Sequence, residues 1–148
     1  MPLYFAYGSN MDAAAMEKRC PRSRLLGRAR LAGHRLVVMA SGFVSVAADR
    51  RANVHGVLWS VPTGDVIALD RYEDIAHGLY AKKIFPVLRE PVGAVMALTY
   101  VGANPNLGAA GRLYLEGVVA AARAQALPED YIDYLSSLVA ARQGGRRS

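Results

Sequence analysis

Cys20 is the only cysteine in the chain, so neither an internal disulfide nor a multi-cysteine zinc site can form. That scarcity accords with a reducing, cytoplasmic setting. Histidine is almost as scarce. His34, His55 and His77 are scattered, without the local spacing that would support a His/Asp metal centre, and no metal is expected. The sequence also lacks a Gly-x-Ser-x-Gly elbow, a Walker loop, a His-Glu-x-x-His pair and a dinucleotide fingerprint. Those absences remove the usual signatures of serine hydrolases, P-loop enzymes, zincins and nicotinamide enzymes. The opening MPLYFAYGSN has no basic lead-in and does not read as a secretory signal. The longest uncharged stretch, Pro91 to Gly111, is broken by prolines, asparagines and glycines. It reads as a strand and a loop, so no membrane association is expected.

What remains is an ordinary globular composition. The 148 residues are 53% apolar and 20% charged, enough for one domain with its own core. The expected domain covers residues 1–141, and residues 142–148 read as a basic, flexible tail. The net charge is +6. Setting aside Arg142, Arg146 and Arg147 leaves 15 Lys/Arg against 12 Asp/Glu, a mildly basic body at +3. Seven Lys/Arg and no acid lie between Lys18 and Arg35. Such a cluster can attract nucleic acid or an anionic ligand. However, Arg28 and Arg30 alternate with Ala29 and Leu31 as on a solvated strand face, and no nucleic-acid motif accompanies the charge. Nucleic acid is therefore not an expected partner.

The chain shows no repeat and no linker. Leu3–Tyr7 reads as a strand, ended by a turn at Gly8-Ser9-Asn10. Asp12 can cap a helix over Ala13–Arg19, which Pro21 stops. Leu25–Ala40 reads as extended with a bend at Gly33, and Asn53–Val61 as a strand. Thr63 is a candidate N-cap for a short helix with Val66, Leu69 and Glu73 on one face. Tyr80–Arg89 and Val92–Val101 pair as a hairpin around Glu90-Pro91. Leu115, Val118, Val119, Ala122 and Ala126 have helical spacing, weakened by Gly117. Pro128 suits the first turn of a last helix that faces Tyr131, Leu135 and Leu138 inward. The order β α β β α β β α α predicts an α+β fold, a small, mainly antiparallel barrel flanked by helices.

Two short segments hold potential chemistry. At Tyr7-Gly8-Ser9-Asn10 a strand ends in a turn before a helix, which offers free backbone N–H groups to an anion or oxyanion. An ordinary β–α turn would look the same. At Leu69-Asp70-Arg71-Tyr72-Glu73-Asp74, Glu73 sits at the C-terminal end of its helix on the inward face. Helix dipole and burial would both raise its pKa, which suits a group that takes and returns a proton. A surface acid beside Asp70 and Asp74 is the other reading. Cys20 lies between Arg19 and Arg22, which could lower its pKa; packing at a helix end is the alternative.

Taken together, LYFAYGSN at Leu3–Asn10, Gly56-Val57-Leu58-Trp59, LDRYE at Leu69–Glu73, Gly78-Leu79-Tyr80 and LPEDYIDYL at Leu127–Leu135 resemble the γ-glutamylcyclotransferase family, with its AIG2-like relatives. The resemblance covers most of the chain in the right order. It implies a compact fold around a small barrel and a YGSN turn (Tyr7, Gly8, Ser9, Asn10) that binds the γ-glutamyl group. It also implies that Glu73 is the catalytic glutamate and that Tyr80 and Tyr114 line the substrate site. Asp74 stands where the family often has glycine, and Met11 where leucine is usual.

The implied reaction releases 5-oxoproline from a small γ-glutamyl substrate by internal aminolysis, the work of a lyase or acyltransferase such as glutathione metabolism uses. The nucleophile belongs to the substrate, so the missing serine or cysteine triad is no obstacle and no cofactor is required. The sequence leaves open the departing amine, a homodimer, and a non-catalytic ligand-binding or interaction domain on the same fold.

Overall fold

In the computed structural model, residues 2–73, 78–103 and 112–145 are described, except for the side chains of residues 112 and 140–145. The elements run β1 (Leu3–Ala6), α1 (Ala13–Arg19), β2 (Arg24–Val38), β3 (Val44–Ser60), α2 (Thr63–Tyr72), β4 (Tyr80–Arg89), β5 (Ala94–Gly102), α3 (Arg112–Ala124) and α4 (Glu129–Gly145), with a 3-10 turn at Ser9–Met11. The strands close into a barrel in the order β1-β3-β2-β4-β5. Every pairing is antiparallel except β1 with β5, where Tyr4 meets Leu98. The expected α+β barrel is the observed fold.

β1 holds the centre of this arrangement. Tyr4, Phe5 and Ala6 are all buried, because one face of the strand looks into the barrel and the other is covered. A strand covered on both faces loses the apolar/polar alternation and reads as a continuous run, as LYFA does. Gly56 on β3 lets that strand approach: a Cβ there would sit 2.2 Å from the Ala6 carbonyl oxygen.

β2 and β3, 15 and 17 residues long, exceed ordinary strand length and must bend. Their register shifts between Leu25 and Gly27 and between Ala32 and His34. Gly27 and Gly33 stand there at φ 135° and 75°, conformations that an L side chain resists. Beyond the second shift the hairpin leaves the barrel wall, and Tyr134 of α4 donates to the Leu36 carbonyl at 2.7 Å. Its tip, closed by Met39 N–H to Phe43 O at 2.8 Å, reaches the end of β5, where the Ser45 hydroxyl accepts from Gly102 N–H at 2.8 Å.

The helices start and stop largely where the residues direct. The Asp12 carboxylate accepts from Ala14 N–H at 3.2 Å at the head of α1. Several expectations need correction. β3 begins at Val44, nine residues before the expected Asn53. Pro62, not Thr63, occupies the N-cap of α2. Ala126 lies beyond α3 at φ 56°, exposed rather than on the inward face. α4 keeps its helical backbone to Gly145, so the boundary expected at residue 142 falls inside a helix; residues 146–148 lie outside the described residues.

Candidate functional site

At one end of the barrel lies a cavity of about 550 Å³, its open mouth included, lined by Tyr4, Tyr7, Gly8, Ser9, Asn10, Phe43, Val44, Tyr72, Glu73, Leu79, Tyr80, Tyr100 and Tyr114. All seven residues singled out from the sequence (Tyr7, Gly8, Ser9, Asn10, Glu73, Tyr80 and Tyr114) therefore face one space. They come from five places: the end of β1, the turn after it, the end of α2, the start of β4 and the start of α3.

The turn is a single 3-10 helical turn, with Met11 N–H bonded to Gly8 O and Asp12 N–H to Ser9 O, each at 3.1 Å. The first N–H groups of such a turn, those of Ser9 and Asn10, have no carbonyl within it to pair with. The turn is held from three sides. Trp59 on β3 donates its indole N–H to the Asn10 carbonyl at 3.0 Å. Gln125 donates to the Met11 carbonyl at 2.8 Å. Asn10, itself buried, donates through its amide nitrogen to the Tyr4 hydroxyl at 3.0 Å and accepts from Arg19. Gly8 sits in close quarters: a Cβ would lie 3.1 Å from Val44 Cγ2 and 3.3 Å from the Tyr114 hydroxyl, and both side chains would have to yield a few tenths of an ångström.

Glu73 caps the C-terminus of α2, its N–H bonded to Leu69 O at 2.9 Å. Burial pushes its carboxyl up to about 7, and the Arg19 guanidinium opposes that rise. Asp74 and His77, next in sequence, lie outside the described residues. Beside Glu73, the Tyr72 and Ser9 hydroxyls are 2.6 Å apart, which ties α2 to the turn across 62 intervening residues.

Six of the eight tyrosines in the chain line this cavity. Burial raises Tyr4, Tyr7, Tyr80, Tyr100 and Tyr114 well above the usual phenol range, with the negative charge of Glu73 adding to the effect. They stay neutral near pH 7 and serve as hydrogen-bonding walls. Tyr80 donates to the Val44 carbonyl at 2.5 Å, Tyr7 to the Tyr100 carbonyl, and Tyr100 to Asp70 at 2.6 Å. Asp70 also receives Lys82 at 2.9 Å.

Sequence reasoning missed Tyr4, Tyr72, Tyr100, Phe43, Val44, Leu79 and Arg19. Tyr4 and Tyr72 lie inside the two motifs and were within reach. Phe43 and Val44 arrive only because the β2–β3 hairpin folds back, which no local spacing announces.

Elsewhere, Cys20 is fully buried and its thiol is pushed up to about 11 by burial and by Asp65, with Arg19 opposing. The neighbouring arginines do not lower it, because burial outweighs them; Cys20 packs at the C-terminal end of α1, the other of the two readings. Burial lowers His55, whose ring lies 4.8 Å from that of Tyr131. Among the described residues, no three His, Cys, Asp or Glu side chains gather as a metal site. The basic segment is dispersed: Arg22 pairs with Asp65 at 3.1 Å, Arg28 with Glu90 at 2.6 Å and Arg35 with Asp49 at 3.7 Å, and Arg19 turns toward the cavity. Among the described residues, no helix is long and apolar enough to cross a membrane.

The sequence model of the AIG2-like family matches residues 53–135, more than half of the chain. The chain belongs to the AIG2-like family. Its barrel superposes on a gamma-glutamyl cyclotransferase with a TM-score of 0.85 at 22% identity, covering 91% of this chain and 86% of that one. A human protein, described only as uncharacterized, superposes at 0.84 with 23% identity over 90% and 85% of the two chains. YkqA from Bacillus subtilis gives 0.81 at 21% identity over 93% of this chain and 54% of that one. Likeness at these identities establishes the AIG2-like fold; chemistry has to be argued from the cavity. No curated protein matches the sequence.

Proposed function

We propose that this protein is a γ-glutamyl cyclotransferase, which converts a small γ-glutamyl compound into 5-oxoproline and a free amine or amino acid. One observation carries the reading: a buried carboxyl raised to about 7, Glu73, shares its cavity with the Ser9–Asn10 turn, whose first N–H groups have no carbonyl partner within the turn.

On this reading the γ-glutamyl group enters with its γ-carbonyl oxygen toward the turn. Glu73 takes a proton from the substrate α-ammonium, and the freed amine attacks the γ-carbonyl carbon. A C–N bond forms, and the oxyanion is met by the N–H donors, each good donor contributing about 3 kcal/mol. The bond to the departing nitrogen then breaks as Glu73 returns its proton there. The second proton of the ring nitrogen follows, so the leaving group departs as an ammonium. A carboxyl near 7 is suited to both halves of that transfer, since neither form is costly to reach. Tyr7, Tyr80 and Tyr114 supply a stiff wall against which the flexible glutamyl chain folds into an attack geometry. The nucleophile is the substrate's own, so Glu73 is the one protein group in this scheme that must change protonation.

The test is 5-oxoproline release from a panel of γ-glutamyl amino acids, dipeptides and amines, with wild type and Glu73→Gln compared. Release by wild type, with at least ~10²-fold loss in the variant, supports the reading. A folded variant that keeps a third of the wild-type rate overturns the role of Glu73. A silent wild type that still binds the panel compounds replaces the enzyme with a non-catalytic binding domain.

A further inference from the structure

The two halves of the cavity belong to elements far apart in sequence, and one side chain touches both. Arg19, the last residue of α1, sits where a helix end favours a cation. Its guanidinium carbon lies 3.6 Å from the Tyr72 ring centroid, well inside cation–π range. The same guanidinium donates to the Asn10 side-chain oxygen, and Asn10 passes the contact on to Tyr4. Tyr72 directly precedes Glu73, and Asn10 belongs to the turn. Arg19 thus spans from the turn to the residue before the acid through a cation–π contact and a directed hydrogen bond.

We propose that Arg19 is a positioning residue, a clamp that fixes the Glu73 carboxyl against the Gly8–Asn10 turn by holding Tyr72 to Asn10. The proposal rests on the cyclotransferase reading for its kinetic consequence but not for its geometric one. Facing Glu73 are Tyr4 from β1, Tyr7 just after it, Tyr80 from β4, Tyr100 from β5, Tyr114 from α3 and Arg19 from α1. The tyrosines are neutral at working pH, which leaves Arg19 as the formal charge of this set. Removing it takes away the attraction that opposes burial, so the Glu73 midpoint must rise. Lysine in its place restores the charge but neither the planar guanidinium over the Tyr72 ring nor the forked donor geometry.

The experiment compares wild type, Arg19→Met, Arg19→Gln and Arg19→Lys in protein carrying ¹³C-labelled glutamate. The Glu73 δ-carbon signal is assigned by its loss in Glu73→Gln. In Arg19→Met and Arg19→Gln, the Glu73 titration midpoint and the acidic limb of the kcat/KM profile are expected to move together to higher pH. kcat is expected to fall at least ~10-fold with KM changed less than ~3-fold. Arg19→Lys is expected to keep the wild-type midpoint yet recover only part of kcat. An unmoved midpoint in both neutral variants overturns the proposal, as does full recovery of kcat by lysine, which would leave charge alone as the cause. Should the methionine variant not fold, the glutamine variant decides. The titration needs no turnover, so a protein inactive on every γ-glutamyl compound would fail the cyclotransferase reading and still report on the clamp.

Discussion

Glu73 combines a demand of the proposed chemistry with a cost to the fold. A carboxyl raised to about 7 from its ordinary 4.5 binds protons more readily folded than unfolded. Between those two values the folded state therefore holds more protons, and stability falls as pH rises through the window. Below pH 4 the penalty is absent; above about 7 it is complete. Glu73→Gln, which cannot ionise, is expected to match wild type near pH 4 and to exceed it at pH 8 by on the order of 2 kcal/mol, measured by urea unfolding at both pH values. Equal stability at pH 8 would show that the carboxyl is not buried as described. Ser9 offers a milder contrast. Its hydroxyl meets Tyr72 at 2.6 Å, but the backbone N–H groups of its turn survive truncation. Ser9→Ala is expected to lower kcat/KM about tenfold, the worth of one hydrogen bond, and much less than Glu73→Gln does; equal losses would contradict the backbone role.

Among the elements, local signals and tertiary ones separate cleanly. α1 was legible because Asp12 caps it and Pro21 lies just beyond its end. β4 was legible from Tyr80 to Arg89 because its run of strand formers is bounded by Gly78 and Pro91. The first half of β3 was not, since Asp49, Arg50 and Arg51 place charge in mid-strand where the hairpin has left the barrel wall and faces water. The motifs named the turn and the acid, and through them most of the site. Phe43 and Val44 escaped because they join the cavity through the tip of the β2–β3 hairpin, and Tyr100 because it sits on β5, outside both motifs. Gly56 shows why one motif position is fixed: it stands where two strands leave no room, and its Cβ would strike a backbone carbonyl rather than a movable side chain. Gly56→Ala is expected to cost about 3 kcal/mol, read as a shift in the denaturation midpoint at unchanged m-value. A shift below about 0.5 kcal/mol would mean that β1 and β3 can separate without penalty.

At the scale of the whole molecule, the closed barrel fixes one end of the fold as the place where β1, α2, β4, the β2–β3 tip and α3 converge. The resulting cavity is shaped by phenols and holds an ionisable acid beside the first N–H groups of a 3-10 turn. Charge is distributed differently: the basic segment that stands out in the sequence is spread from α1 through β2, and three of its seven side chains, Arg22, Arg28 and Arg35, pair with acids, so the net charge is no guide to where a ligand would sit. The sequence order of elements revealed the fold class. It did not reveal that β1 lies between β3 and β5, since that placement is a matter of closure rather than of any local pattern.

That placement of β1 has a further consequence. With its four residues present, neither β3 nor β5 offers a free flank along that seam. A chain shortened by its first six residues would open the seam and bare two rows of unpaired backbone donors and acceptors at once, each a template for another chain. The expected product is a self-associating species, visible as high-mass material on gel filtration, rather than a monomer of reduced stability. An added synthetic LYFAYGSN peptide should suppress it by filling the gap.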